Sequence, residues 1–237
     1  MSAGPVAAHA AAVPFSVKMV MIDLDGTLIH TAPDLTTAAN RMLVDLGRPE
    51  RDEATVATWI GNGVPRLVKR ALTGEMQGEP DAALYEQAYA LYKKHYRACV
   101  SDRSRPFPGV EEGLIQLQAM GFELACITNK AEVFTRPLLE DLGLRRFFKL
   151  VLSGDSLPKK KPDPLPLRHA CAHFGITPEH GVLVGDSEND VQAARAAGMP
   201  VICVTYGYNH GKNIRESRPD AVIDSLAELP RYLRLYS

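Results

Sequence analysis

The fold is decided by the stretch VKMVMIDLDGT at residues 17–27. Its first part, Val17–Ile22, is an apolar run with a single lysine, and its shortness and the Gly26 that follows predict a buried strand. Two carboxylates, Asp23 and Asp25, come directly after it. In an open α/β sheet ligands bind at the carboxyl ends of strands. Two like charges this close favour a hard cation that takes oxygen ligands, so the stretch predicts a metal-assisted site after the first strand.

The chain beyond this stretch mostly alternates strand-like and helix-like segments. Apolar runs typical of buried strands lie at Leu124–Ile127, Leu150–Leu152, Val182–Val184 and Val201–Val204. Amphipathic stretches typical of helices lie at Val110–Met120, Val133–Leu142 and Asp190–Ala197. This alternation predicts an α/β fold with a Rossmann-like, doubly wound parallel sheet that carries helices on both faces.

One interval, from about Pro33 to about Arg105, breaks the alternation because it contains only helical patterns. The patterns cover Leu35–Leu46, Thr55–Ile60, Val64–Leu72 and Ala82–Val100, with Asp52 and Asp81 as expected N-caps. We therefore expect an inserted all-α domain at 32–105, an α/β core made of 16–31 and 106–237, and a frayed tail at 1–15.

Composition and charge narrow the classes of function. The formal net charge is -1, which gives no basic field for nucleic acid or for an anionic membrane. No apolar run is long enough to span a bilayer, and the Ala-rich start lacks the basic segment of a secretion signal. The four cysteines are widely spaced and predict buried thiols in a reducing compartment. We expect a cytoplasmic monomer or homodimer that binds a small molecule, but no nucleic acid and no membrane.

Three later segments carry further polar groups at strand ends or in a loop. Thr128-Asn129 ends the second strand, three lysines ending in Lys161 precede Pro162, and Asp186 follows a later strand with Asp190 one helical turn beyond. Singly, these are also typical of a helix cap, a solvated loop and a helix N-terminus. With the Asp23/Asp25 stretch they make four such elements along one chain, which chance placement does not explain.

These elements, in this order, resemble the motifs of the haloacid dehalogenase superfamily, whose larger part consists of Mg²⁺-dependent phosphohydrolases. The resemblance extends from about Val17 to about Leu229. It implies that Asp23 attacks phosphorus to form an aspartyl-phosphate, and that Asp25 protonates the leaving oxygen and then activates water. Both roles suit a carboxylate beside a metal.

The same resemblance implies the binding residues. Thr128 and Asn129 would donate hydrogen bonds to the phosphoryl oxygens, and Lys161 would offset charge between nucleophile and substrate. The Mg²⁺ ligands it implies are Asp23, the backbone carbonyl of Asp25, Asp186 and, directly or through water, Asp190. The inserted helices would form a cap that closes over the catalytic face and excludes water.

The cap also bears on the substrate, which is expected to be a small phosphate ester. The segment Trp59–Val64 resembles the specificity loop of bacterial phosphoglycolate phosphatases, which implies 2-phosphoglycolate as substrate, with Gly61, Asn62 and Arg66 as its contacts. A solvated helix face is the other interpretation of Arg66. His30 departs from the family's pattern, because relatives commonly carry Asp at this position. The departure bears on the expected hinge of the cap and on its substrate contacts.

Several alternatives stay open at this point. Another hydrolase of the subfamily could act on a sugar phosphate, N-acetylmuramate 6-phosphate or pyrophosphate. A β-phosphoglucomutase-like isomerase uses the same core, and Asp25 does not exclude it. A dehalogenase is disfavoured because Asp25 has no role in that chemistry. A phospho-accepting signalling domain also places acids, a Thr and a Lys at strand ends, but it needs no cap.

Overall fold

The structure, a computed structural model, describes residues 14–236. The strands are β1 (Phe15–Val17), β2 (Met19–Ile22), β3 (Ile29–His30), β4 (Arg105–Pro106), β5 (Glu123–Ile127), β6 (Leu150–Leu152), β7 (Gly181–Gly185), β8 (Val201–Val204), β9 (Ala221–Ile223) and β10 (Leu233–Leu235). The α-helices are α1 (Ala32–Asp45), α2 (Glu53–Thr58), α3 (Val64–Thr73), α4 (Ala82–Arg97), α5 (Val110–Ala119), α6 (Glu132–Asp141), α7 (Leu165–Phe174) and α8 (Glu188–Ala197). The tail expected at 1–15 lies outside the described residues up to position 13, and Phe15 already belongs to a strand.

The core is a six-stranded sheet in the order β6-β5-β2-β7-β8-β9, with every neighbouring pair parallel. Its central strand β2 is buried on both faces. Val20 and Ile22 face the apolar cluster that includes residues of α5 and α6, whereas Met19 and Met21 face the cluster under α7 and α8. Helices thus cover both faces, which confirms the predicted doubly wound α/β fold.

The predicted strand Val17–Ile22 is in fact two strands. Lys18 is exposed between them, and its N–H donates to the carbonyl of His180 at 2.8 Å. β1 consequently leaves the main sheet and pairs in parallel with β10. A solvated lysine at this position explains the break, because its side chain cannot be buried in the centre of a sheet without a countercharge.

Four helices, α1–α4, stand between β3 and β4, and these two short strands pair antiparallel. Asp52 and Asp81 cap α2 and α4 by accepting from Thr55 N at 2.8 Å and Leu84 N at 3.0 Å, as expected. Asp34 is fully buried in the first turn of α1, and its carboxylate accepts from the N–H groups of residues 103 and 104. The start and the end of the helical insertion are therefore fastened together beside the sheet.

Two remaining expectations concern cysteines and membranes. All four cysteines are buried and unpaired, as expected. Between residues 14 and 236, no helix has both the length and the apolar character needed to cross a membrane.

Candidate functional site

The site forms where three neighbouring strands end. Ile22 of β2 lies opposite Cys126 of β5 and Val184 of β7. Because these parallel strands end at the same edge, the residues that follow them converge: Asp23 and Asp25 after β2, Thr128 and Asn129 after β5, and Asp186 after β7. The topology brings together the acids and the strand-end donors that the sequence motifs predict.

The turn after β2 needs the glycine that the motif contains. Gly26 has φ of +87°, a left-handed conformation that glycine adopts without strain. A Cβ atom at this position would lie 2.5 Å from Oδ2 of Asp186. The glycine therefore allows Asp186 to approach the turn after β2, where Oγ1 of Thr27 donates to its Oδ1 at 3.0 Å.

Three carboxylates meet at this point. Oxygens of Asp23, Asp186 and Asp190 lie within 4.8 Å of one another, and all three side chains are buried. Burial raises the pKa of Asp23 to about 7 against the opposing effect of Lys161. Burial and the charges of Asp190 and Asp23 raise the pKa of Asp186 to about 8. The raised pKa values show that these buried carboxylates need a positive charge beside them. A hard divalent cation, which prefers oxygen ligands, would supply that charge.

The two carboxylate oxygens of Asp190 accept hydrogen bonds from different parts of the chain. Its Oδ2 accepts from Ser187 N at 3.1 Å and Ser187 Oγ at 2.7 Å, which forms the N-terminal capping box of α8. Its Oδ1 accepts from Lys161 Nζ at 2.7 Å. Asp190 is therefore a member of the acidic cluster whose two oxygens already have protein donors.

Of the three consecutive lysines, Lys161 is the one at the acids. Its Nζ donates to Ile127 O at 2.7 Å and to Asp190 at 2.7 Å, and lies 2.8 Å from Oδ1 of Asp23. Burial alone would lower the pKa of this ammonium, but Asp190 and Asp23 outweigh burial and raise it. Lys161 is thus a permanently charged group beside the proposed nucleophile.

Thr128 and Asn129 both line the cavity above the acids. The hydroxyl of Thr128 accepts from Lys130 N at 3.1 Å. The amide nitrogen of Asn129 donates to the carbonyl of Gly61 at 2.9 Å and to that of Lys161 at 2.8 Å. Asn129 therefore fastens the α2–α3 loop and the lysine segment together, and its nitrogen is already engaged.

Sequence reasoning assigned no role to Lys130, although it follows Thr128-Asn129 directly. The residue is buried, and its Nζ donates to both carboxylate oxygens of Asp25, at 2.9 and 3.1 Å. Oγ1 of Thr31 donates to Oδ1 of Asp25, one of these two oxygens, at 2.7 Å. The signal was present only in the linear proximity of Lys130 to the strand end, because its contact with Asp25 spans 105 positions.

The residues predicted to contact substrate from the helical insertion separate in the structure. Gly61 lines the cavity together with Gly63 and four apolar side chains. Those side chains are Leu35, Ile60, Val64 and Leu67. Asn62 turns away, and its Oδ1 accepts from Arg70 Nη2 at 2.8 Å.

Arg66 is not brought to the cavity, which corrects its expected role as a substrate contact. Its guanidinium donates to Glu79 Oε1 at 2.6 Å and also to Gln77. Both partners lie beyond the end of α3, in an open groove on the outer side of the loop. Arg66 lies on a face of α3 that is directed away from the cavity, so its side chain points outwards.

Tyr208 links the acids to the start of the helical insertion. Its backbone N–H donates to Oδ2 of Asp186 at 2.8 Å. Its hydroxyl lies 2.9 and 3.0 Å from the N–H groups of Thr31 and Ala32 and 3.0 Å from Nδ1 of His30. His30 therefore stands at the junction where the chain leaves the sheet, in contact with a residue that also touches Asp186.

Known proteins resemble this chain over nearly its whole length. The family model of haloacid dehalogenase-like hydrolases matches residues 20–204. A phosphoglycolate phosphatase of Thiobacillus denitrificans is 61% identical over 215 residues, which are 91% of this chain and 95% of that protein. One of Nitrosospira multiformis is 54% identical over 93% of this chain and 97% of that protein. A crystal structure of a predicted phosphoglycolate phosphatase from Haemophilus somnus has a TM-score of 0.86 and 37% identity, covering 91% and 97% of the two chains. The chain therefore belongs to the family of haloacid dehalogenase-like hydrolases.

Proposed function

We propose that this protein is a Mg²⁺-dependent phosphomonoesterase that hydrolyses 2-phosphoglycolate to glycolate and phosphate. One observation carries the proposal: two carboxylates of a single turn, Asp23 and Asp25, lie beneath a cavity, and a buried ammonium stands 2.8 Å from Asp23. Relatives that are 51 to 61% identical bear the name phosphoglycolate phosphatase, which supports this substrate over other small phosphate esters.

In the first half-reaction, a carboxylate oxygen of Asp23 forms a bond to phosphorus while the bond from phosphorus to the ester oxygen breaks. Asp25 gives its proton to the departing oxygen, so that this oxygen leaves as the hydroxyl group of glycolate and not as an alkoxide. Lys161 offsets charge as the carboxylate approaches the anionic ester. The hydroxyl of Thr128 is available to donate to the phosphoryl group.

In the second half-reaction, Asp25 accepts a proton from a water molecule, whose oxygen then bonds to phosphorus. The bond between phosphorus and Asp23 breaks, and phosphate and the free carboxylate are restored. Asp23, Asp186 and the carbonyl of Asp25 would hold the metal, with Asp190 next to them. A bound Mg²⁺ supplies charge neutralisation for the carboxylates and for the phosphoryl oxygens.

Residues 32–105 are proposed to act as a cap over a core of 16–31 and 106–237. The cavity has its floor at the sheet edge and its roof on α1, α3 and the loop before α3. The apolar roof keeps bulk water away from the site, so that the water molecule activated by Asp25 is the one that reacts. The expectation of a cytoplasmic monomer or homodimer remains a prediction.

The proposal is tested by measuring phosphate release from 2-phosphoglycolate, sugar phosphates, N-acetylmuramate 6-phosphate and pyrophosphate, with EDTA and with added Mg²⁺. We expect multiple turnovers, the highest kcat/KM for 2-phosphoglycolate, and no activity in EDTA. Asp23→Asn, checked by mass spectrometry for deamidation, is expected to stay folded and inactive. Isomerised phosphosugar without net phosphate release would instead favour a mutase. Near-normal turnover by Asp23→Asn would refute the covalent mechanism.

A further inference from the structure

Lys130 and Asp25 form a contact that is incompatible with the acid role proposed for Asp25. Lys130 donates a hydrogen bond to each carboxylate oxygen of Asp25, and Thr31 donates a third hydrogen bond to one of them. An acid that must deliver a proton to a leaving oxygen needs one of its own oxygens free for that proton. The contact with Lys130 therefore has to loosen during the reaction.

Lys130 is also placed to meet a ligand. It lines the cavity beside Asp25, and its Nζ lies 4.9 Å from the centre of the Tyr96 ring of α4, in the helical insertion. Among the described residues that line this cavity, Lys130 is the one with a cationic side chain. The roof offers apolar side chains and the backbone of Gly61 and Gly63, so the roof side chains provide no competing charge.

A small phosphate ester with a second anion needs a countercharge in this space. Lys161 is committed at the floor to Asp23 and Asp190. Arg66, expected to meet that anion, faces the outer groove. This leaves Lys130 within the cavity, held by a carboxylate that a ligand carboxylate can replace, because the two charge-assisted hydrogen bonds to Asp25 are exchanged for bonds of the same kind.

We infer that Lys130 is a specificity-determining residue: its ammonium leaves Asp25 to bind the second anionic group of the substrate, and this exchange frees an oxygen of Asp25 to take a proton from solvent water and deliver it to the leaving oxygen. The inference rests on the proposed function and deepens it. Substrates without a second anion leave Lys130 on Asp25 and are hydrolysed more slowly. The enzyme thereby prefers short esters that carry a carboxylate close to the phosphoryl group.

The test compares 2-phosphoglycolate with 2-phosphoglycolamide, in which a neutral amide replaces the carboxylate. We expect the wild-type protein to favour the carboxylate ester, and Lys130→Met to lose roughly ten- to a hundredfold in kcat/KM for that ester, the range of one hydrogen bond between charged groups. For the amide, Lys130→Met should equal or exceed the wild type, because Asp25 is no longer occupied. Lys159→Met, at an exposed lysine of similar size, should leave both values unchanged.

The ratio of the two esters is an internal control, because both are assayed on the same protein preparation. Lys130→Leu, which likewise removes the donor towards Asp25, serves if the Met variant folds poorly, with the same expectation for both esters. Equal losses on both esters in either variant would overturn the inference and leave Lys130 with a structural role. If the wild type hydrolyses other esters but not 2-phosphoglycolate, the proposed substrate is wrong. The same comparison is then made with the best anionic ester of the screen and its neutral analogue, and an absence of preference there overturns the inference as well.

Discussion

The three consecutive lysines allow one prediction to be made against matched controls. Lys161 is 2% exposed and touches Asp23 and Asp190, at 2.8 and 2.7 Å. Lys160 donates to the carbonyl of Asn62 at 2.8 Å. The Lys159 side chain is 67% exposed and pairs with Asp163 of the same loop. Replacing each by Met removes the same charge from three different surroundings.

For Lys161→Met we expect two effects. Removing one partner from a buried ion pair leaves uncompensated charge and costs about 3–5 kcal/mol of unfolding free energy. Losing one preorganised group aimed at developing charge lowers kcat by about 10²–10³-fold. Bound Mg²⁺ should restore part of the stability, since it neutralises the same carboxylates, but it should not restore kcat.

The assay is kcat for phosphate release at saturating Mg²⁺, with urea unfolding of each variant to confirm that the folded state is being measured. Lys159→Met should match the wild type, because an exposed pair contributes only about 0–1 kcal/mol. Lys160→Met should raise KM with little change in kcat, since it touches the loop and not the acids. A loss of less than about tenfold for folded Lys161→Met, or an equal loss for Lys159→Met, would refute the assignment.

Three other substitutions test separate parts of the site. Asp25→Asn should lower kcat by roughly 10²–10⁴-fold with 2-phosphoglycolate and by less with p-nitrophenyl phosphate, whose leaving group needs no proton; equal losses on both esters would contradict the acid role. In EDTA the pKa of Asp186 is about 8 in the folded protein and 3.8 in the unfolded chain. Between these pH values the folded state binds one proton more than the unfolded state, so the free energy of unfolding decreases as pH rises towards 8. Urea midpoints of the metal-free wild type should therefore fall between pH 6 and pH 8.5 more than those of Asp186→Asn, and parallel curves would count against the raised pKa of Asp186. Arg66→Ala should leave kcat/KM for 2-phosphoglycolate unchanged, since its guanidinium is bound to Glu79; a loss of about tenfold confined to this ester would contradict that placement.

The sequence by itself determined the sheet and the position of its acids. Apolar runs of strand length mark β2, β5, β6, β7 and β8, because a buried parallel strand exposes neither face to water. A carboxylate directly after such a run can lie only at the carboxyl edge of the sheet. This local logic predicted where Asp23 and Asp186 stand, and the helix-only interval predicted the insertion between β3 and β4. The catalytic roles of these acids remain predictions.

Tertiary structure decided where the cations and the short elements go. The pairing of β1 with β10 depends on a strand more than 200 residues away, which no local pattern reports. Lys130 and Arg66 are both long basic side chains near cavity-lining segments, yet one points to Asp25 and the other to Glu79. Long flexible side chains are directed by the countercharges that the fold places near them, so their targets follow from contacts between distant segments and not from their own sequence neighbourhood.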